Sequence, residues 1–376
     1  MNETIKQQND FTGVTAWHNA GWTGKGVRIW NMEDTTDHGR GTRQRILDAA
    51  PDAEVTSAAH SIVTEKGRIK EESVTENGKK LTADQFCNHH GFHIVSASLG
   101  GPANPSEERI ELYRNIREKY NLTMHNSAGN DGSSGVHGGR IPESEAIYVG
   151  ACMAFKQNYN DLRMWNYSSI GDEKDEVDFS TFTGGLSGTS FSCPYLAGTT
   201  ALLMQRYGTD MTELEVYRYY QMIAKPIPTG HTWESGYDLW SGYGVPILPD
   251  PTKRLVRMKI GDKSYKIDKT VETMDTAPFI DGGRTFVPVA FAALAVGATV
   301  KWDGVKKTVT INKNGQNLIM TIGNKSCLLN GKPYQMDVAP FIKDSRTFVP
   351  VAFVALGLGC KVTWVESEKK VMILEA

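Results

Sequence analysis

The chain has 376 residues, more than one hydrophobic core usually organises, so two domains are expected. Hydrophobic residues make up 40% and charged residues 22%, an ordinary globular balance that excludes a disordered tail protein and gives no span of bilayer length. The net charge of −2 hides an asymmetry: Lys253 to Ala376 carries 19 basic against 11 acidic residues, while the rest carries 22 against 32. The lysines of the rear part are scattered rather than clustered, which reads as a solvated surface and not as a nucleic-acid stripe.

In chain order, Met1 to Asp10 shows no apolar core of the kind a secretory signal needs, and none is expected in this sequence. Val27-Arg28-Ile29-Trp30 is a first strand, followed by two adjacent acids, Glu33 and Asp34, and by His38-Gly39. Cys87-Asn88-His89-His90-Gly91-Phe92-His93 contains donors that a metal could use, but Gly91 reads as a helix C-cap, so no metal site is expected there. A second strand, His93 to Ser98, runs into Leu99-Gly100-Gly101; a helix spans Glu107 to Tyr120; and Ser127-Ala128-Gly129-Asn130-Asp131-Gly132 forms a turn-prone loop. His125 and His137 flank that loop and read as polar loop residues rather than site residues. After a third strand, Ala146 to Val149, the run Gly188-Thr189-Ser190 ends a loop, and an apolar helix from Ser192 to Tyr207 follows with Pro194 early in it. A serine at such a helix start is most often a cap, yet the same position lets backbone N–H groups stabilise developing negative charge. Strands alternating with helices argue for an α/β domain with a largely parallel sheet.

The proline-rich stretch Gly244 to Pro251 marks a boundary near residue 252. Beyond it the sequence repeats with an offset of 62: Asp275-Thr276-Ala277-Pro278-Phe279-Ile280 returns as Asp337-Val338-Ala339-Pro340-Phe341-Ile342, and Arg284 to Phe291 returns as Arg346 to Phe353. Each copy, about 256–312 and 318–374, is expected to be α+β. It has a short helix begun near Pro288 or Pro350 and stopped by Gly297 or by Gly357 or Gly359, then a hairpin such as Val300 to Trp302 with Thr308 to Ile311. Five widely spaced cysteines, an odd number set among apolar or small residues, read as buried thiols.

The segment Gly188-Thr189-Ser190-Phe191-Ser192-Cys193-Pro194-Tyr195-Leu196-Ala197-Gly198 resembles the nucleophile motif of the subtilisin-like serine proteases, Gly-Thr-Ser-Met-Ala-x-Pro-x-Val-Ala-Gly. The likeness covers residues 11–250 as one domain, in the family's order of acid, histidine and serine. It implies Ser190 as nucleophile, His38 as general base, and Glu33 in the place of the family's aspartate, with Asp34 as the alternative acid. It implies Asn130 as the oxyanion donor, and Ser98-Leu99-Gly100 as the strand that binds extended substrate backbone. Two departures stand out. His38-Gly39-Arg40 replaces the family's His-Gly-Thr, and His38 follows Glu33 by only five positions. Family-like sequence begins near Phe11, leaving no room for an inhibitory propeptide, so a mature form or unaided folding is expected.

The implied activity is serine endopeptidase action on a polypeptide. The alternative is a catalytically impaired scaffold of the same fold, or a cell-envelope binding protein. The family also implies a capacity for calcium, with no site visible in the sequence. The repeats, residues 253–376, resemble the copper amine oxidase N-terminal-like domain. No histidine follows His231, so a copper site there lacks ligands. A binding or targeting module for cell-wall or envelope polymer is the expectation, with neither nucleic acid nor a membrane span. The two families point outside the cell and the free thiols point inside, which leaves the compartment open.

Overall fold

The computed structural model describes residues 3–66, 68–98, 100, 105–132, 141, 145–171, 176–234 and 236–375. The chain divides into two compact units, Met1–Pro251 and Thr252–Ala376.

The first unit is an α/β layer structure. Its helices are α1 (Glu3–Phe11), α2 (Val14–Asn19), α3 (Asp37–Ala49), α4 (Ala83–His90), α5 (Glu107–Tyr120), α6 (Cys193–Tyr207) and α7 (Glu213–Ile223). Its first ten strands are β1 (Arg28–Asn31), β2 (Glu54–Ser57), β3 (His60–Glu65), β4 (Arg68–Glu76), β5 (Lys79–Leu81), β6 (Ile94–Ala97), β7 (Thr123–Ser127), β8 (Ile147–Ala154), β9 (Leu162–Met164) and β10 (Phe179–Phe182). The main sheet runs β10-β8-β7-β6-β1-β2, parallel throughout, with β9 added antiparallel to β8. β6 and β7 are both buried along their whole length; β6 reads accordingly as an apolar and small-residue run without alternation, while β7, Thr123-Met124-His125-Asn126-Ser127, is buried despite its polar residues.

One face of this sheet carries a core of Trp30, Met32, Phe86, Tyr113, Ile116 and Met124, supplied by the sheet and by α4 and α5. On α6, Cys193 through Met204 and Tyr207 are all buried, so this helix has no polar face and lies wholly within the unit. It packs closely on α3. A Cβ added to Gly198 would lie 2.4 Å from the Ile46 carbonyl oxygen and 2.9 Å from Ala49 Cβ, so glycine is what lets the two helices approach. β3, β4 and β5 form a separate antiparallel sheet, for which the sequence predicts no strands. Its second turn, Asn77-Gly78, has positive φ at both residues (49° and 78°), the signature of a two-residue hairpin turn.

The second unit shows the repeat as eight elements taken twice, and the two copies are interlaced. The opening strand Leu255–Lys259 pairs with the closing strand Lys370–Leu374, while Thr308–Lys313 of the first copy pairs with Gln316–Thr321 of the second. Between these sheets, Arg284–Pro288 and Arg346–Pro350 pair antiparallel, with Val287 opposite Val349. Phe286 and Phe348 sit symmetrically about that centre, opposite Pro350 and Pro288. Each copy therefore completes its sheet with strands from the other, and a single buried cluster runs from Val256 through Ile311 and Leu318 to Ile373. The helices, Val289–Ala295 and Val351–Gly357, begin directly after Pro288 and Pro350. Gly297 and Gly359 take positive φ just beyond them, so in the second copy it is Gly359 that turns the chain.

All five cysteines are free thiols, four of them buried and Cys360 half-buried. Burial pushes the Cys87 and Cys193 thiols up to about 12, away from the reactive thiolate form.

Candidate active site

Parallel neighbours β1 and β6 are in register at Asn31 opposite Ser96, so the two chains leave the sheet side by side at their carboxyl ends. Two residues further on stand Glu33 and Ser98. Glu33 is only 1% exposed, and its Oε1 accepts the Ser98 backbone N–H at 2.8 Å. Its Oε2 lies 3.5 Å from His38 Nδ1. Asp34 is exposed, and its Oδ1 accepts the Thr36 N–H at 3.0 Å as well as the Thr36 hydroxyl. Glu33, and not Asp34, is the carboxylate beside the imidazole.

His38 sits in the first turn of α3 with its ring 37% exposed. Gly39 is required behind it, because a Cβ there would lie 1.8 Å from the Asp34 carbonyl oxygen. Arg40, the departure from the family motif, points outward and pairs with Asp37 on the surface, both side chains being largely exposed. Phe191 lies near the imidazole, with ring centroids 5.8 Å apart. A Cβ at Gly41 would come within 2.9 Å of the Phe191 ring, so the second glycine of His38-Gly39-Arg40-Gly41 makes room for that side chain.

Ser190 lies in a single 3-10 turn, Thr189–Phe191, that leads into α6. It is 8% exposed, and its hydroxyl donates to the Ser98 carbonyl oxygen at 2.9 Å. Among the described residues it makes no hydrogen bond to His38. The Ser98 peptide thus holds two of the expected site residues: its N–H holds Glu33 and its C=O holds Ser190.

Asn130 reaches the same turn from the loop after β7. Its Oδ1 accepts the Thr189 N–H at 2.7 Å. A backbone N–H can only donate, so this contact fixes the amide orientation and turns Nδ2 outward, with no partner among the described residues. Gly100 is exposed, and Leu99 lies outside the described residues, as does His137. His125 is not a loop residue. It is fully buried on β7, its Nε2 is 3.0 Å from the Thr200 hydroxyl, and burial pushes its pKa down to about 3, so it is a neutral core histidine.

Arg45, which carries no functional signal in the sequence, has a side chain only 2% exposed. It is seven residues beyond His38 on α3. Its Nη1 donates to Asp48 Oδ2 at 2.7 Å, its Nη2 to the Phe182 carbonyl at 3.1 Å, and its Nε to the Phe191 carbonyl at 3.2 Å. The helix that carries the histidine is therefore tied to the residue after the serine. An arginine at Asp-compatible helical spacing reads as a surface ion pair, and only the fold reveals that it is enclosed.

The subtilase family profile matches residues 31–237, and the copper amine oxidase N-terminal domain profile matches residues 253–373. An intracellular serine protease of Paenibacillus polymyxa is 31% identical over 158 residues, covering 37% of this chain and 45% of that protein. Subtilisin DY of Bacillus licheniformis is 27% identical over 139 residues, covering 33% of this chain and 47% of that protein. The chain spans less than half the length of the curated relatives it matches. Among solved structures, MycP1 with its N-terminal propeptide removed aligns with a TM-score of 0.46 at 17% identity, over 65% of this chain and 95% of that one. The match to residues 31–237 takes in more than half of the sequence, so the chain belongs to the subtilase family, with a copper amine oxidase N-terminal domain following its subtilase domain.

Proposed function

We propose that the chain is a serine endopeptidase acting through Ser190, His38 and Glu33. The observation that carries this reading is the convergence on one peptide: Glu33 bonds the Ser98 N–H and lies against His38, while Ser190 bonds the Ser98 carbonyl. In this reading His38 Nε2 takes the Ser190 proton as the hydroxyl oxygen attacks the peptide carbonyl. Glu33 holds the imidazole by Nδ1 and stabilises the imidazolium. Asn130 Nδ2 and the Ser190 backbone N–H receive the oxyanion. The amine leaves with the proton from His38, and water attacks the acyl-enzyme through the same base. Ser190 must rotate from the Ser98 carbonyl toward His38 before the attack, a change of one side-chain torsion. Catalytic hydrogen bonds are commonly long before substrate arrives, which fits the 3.5 Å separation of Glu33 and His38.

A fluorophosphonate probe tests this directly. The expected result is stoichiometric labelling of the intact protein at Ser190, abolished by Ser190→Ala and strongly slowed by His38→Ala. No labelling, under conditions that label another subtilase, would overturn the enzyme reading. It would favour an impaired scaffold, for which the observation is the Ser190 hydroxyl turned to Ser98 rather than to His38.

The substrate in this proposal is a polypeptide bound in extended form along Ser98-Leu99-Gly100. The second unit acts as the targeting module, and its ligand is a cell-wall or envelope polymer. The supporting feature is its surplus of basic residues, 19 against 11 acidic ones. Equal retention on cell-wall material of the full chain and a form ending at Pro251 would refute that part.

A further inference from the structure

The sequence around His89 and His90 supplies two potential donors at the end of α4, and the fold brings a third beside them. Glu76 closes β4, and one ligand atom from each of Glu76, His89 and His90 lies within 4.8 Å of the others. The ring of His90 is held by packing. Its centroid is 4.6 Å from Phe86, in an edge-on contact, and 5.1 Å from Phe92, nearly parallel.

His90 Nε2 is shielded from solvent and has no hydrogen-bond partner among the described residues, although Glu76 Oε1 is 2.9 Å away. The separation is that of an ion pair, but the direction is wrong for a hydrogen bond, so the carboxylate oxygen lies beside the nitrogen's axis rather than on it. That is the relation of two neighbouring ligands on one cation. Bonds of about 2.05 Å from nitrogen and oxygen to a common metal span about 2.9 Å at a right angle and about 3.3 Å at the tetrahedral angle. With the three atoms within 4.8 Å, closing the widest span to the tetrahedral edge takes at most about 1.5 Å of movement. His89 is exposed and can supply this by rotating its ring.

We propose that Glu76, His89 and His90 form a binding site for a borderline divalent cation, Zn²⁺ being the natural occupant of a two-imidazole, one-carboxylate set with an open fourth position. The hard cations calcium and magnesium are disfavoured by the two nitrogens. The bound ion pins the end of β4 to the end of α4. Three residues later α4 leads into β6, the strand that delivers Ser98, so the cation stiffens the support of the site at a distance. The site neither contains nor touches Ser190, His38 or Glu33, and it stands whether or not the protein hydrolyses peptides.

The test uses the full chain, titrated with Zn²⁺ against a chromophoric chelator and with Co²⁺ for its visible spectrum. The expected result is one Zn²⁺ per chain, with a Co²⁺ spectrum that has tetrahedral or five-coordinate ligand-field bands and no thiolate charge-transfer band. His89→Ala and Glu76→Gln should each weaken Zn²⁺ at least tenfold. His89 is exposed, so its truncation leaves the fold intact, and the amide at position 76 keeps the shape of the glutamate. Absence of stoichiometric binding overturns the proposal, as does unchanged affinity in both variants. A thiolate band would move the ion to a cysteine and overturn it too.

Discussion

Arg45→Met removes a buried guanidinium and keeps much of its length, and the structure sets the size of the effect. In the native protein, three guanidinium nitrogens meet Asp48 Oδ2 and the carbonyls of Phe182 and Phe191, with the fork lying 4.6 Å from the Tyr195 ring. Burial pulls the Arg45 pKa down, and the charge and hydrogen bond of the neighbouring Asp48 oppose that shift. Without Arg45, the Asp48 carboxylate, 7% exposed, keeps among the described residues the Gln44 side-chain amide at 3.1 Å. Removing one member of a buried pair costs about 3–5 kcal/mol. The two orphaned carbonyls keep that estimate from falling to the lower end. Urea unfolding, followed through the burial of Trp17 and Trp30, should show a midpoint shift for the first unit at unchanged slope. Arg45→Met with Asp48→Leu should recover much of the loss, because no uncompensated charge remains. A single variant within about 0.5 kcal/mol of the native protein, the range of ordinary surface changes, would refute the reasoning. So would a double variant no more stable than the single one.

Gly39→Ala should act on the same helix start. Its Cβ would sit 1.8 Å from the Asp34 carbonyl, so the turn between Glu33 and His38 must open, and fluorophosphonate labelling should fall at least tenfold while α6 and its surroundings remain folded. Asp178 gives a pH prediction. Burial, reinforced by Glu176, pushes its carboxyl up to about 7, against the Tyr148 N–H and the Tyr217 hydroxyl that favour the ionised form, and Glu213 nearby is itself pushed to about 7 by burial. A folded-state pKa above the unfolded value means that the stabilising proton is fully bound below about pH 4 and is lost as pH rises through about 7. Asp178→Asn, which still accepts the Tyr148 N–H, should therefore flatten the decline in stability between pH 5 and pH 8 measured by urea unfolding; an unchanged decline would point to Glu213 alone.

The parts of this protein that sequence made legible are those where local chemistry and fold agree. Ser190 could be placed because Gly188 to Gly198 resembles the nucleophile motif of the subtilisin-like proteases, with Pro194 marking a helix start, and β1 and β6 because they are short strand-like runs without alternation. Asn130 could be named, but its amide orientation depends on Thr189, nearly sixty residues away. His125 was misplaced because a histidine beside a turn resembles a loop residue, whereas the partner that shelters it, Thr200, lies on α6. The antiparallel sheet of β3, β4 and β5 was missed among charged residues. Most of its side chains are half-buried or exposed, so burial imposes little pattern, and Asn77-Gly78 was the signal available. The interlacing of the two rear repeats could not be read at all. Similar hydrophobic patterns specify the same strands whether each copy closes on itself or on its neighbour, and it is the pairings between copies, Leu255–Lys259 with Lys370–Leu374 and Thr308–Lys313 with Gln316–Thr321, that distinguish the two.

The substitution of Glu33 for aspartate and the short path to His38 are coupled by geometry. β1 ends at Asn31 and α3 begins at Asp37, so five intervening residues must reverse the chain before His38 enters the first helical turn. The turn is closed by Asp34 accepting from Thr36, which places Asp34 outside the site and in service of the helix start. In the proposed triad the acid then comes from a residue still close to the strand, where the backbone is held by Met32 N–H on the Ser96 carbonyl. From there the side chain has to reach the Ser98 N–H and the imidazole at once. Glutamate adds one methylene and one torsion to aspartate, and Glu33 uses its two oxygens on those two different partners. On this argument Glu33→Asp should not restore a family-like site. The shorter carboxylate can keep the Ser98 contact or approach His38, but the fixed strand end prevents both. Fluorophosphonate labelling of Glu33→Asp should be at least tenfold slower than that of the native protein, and labelling at the native rate would show that the extra methylene is not what spans the gap.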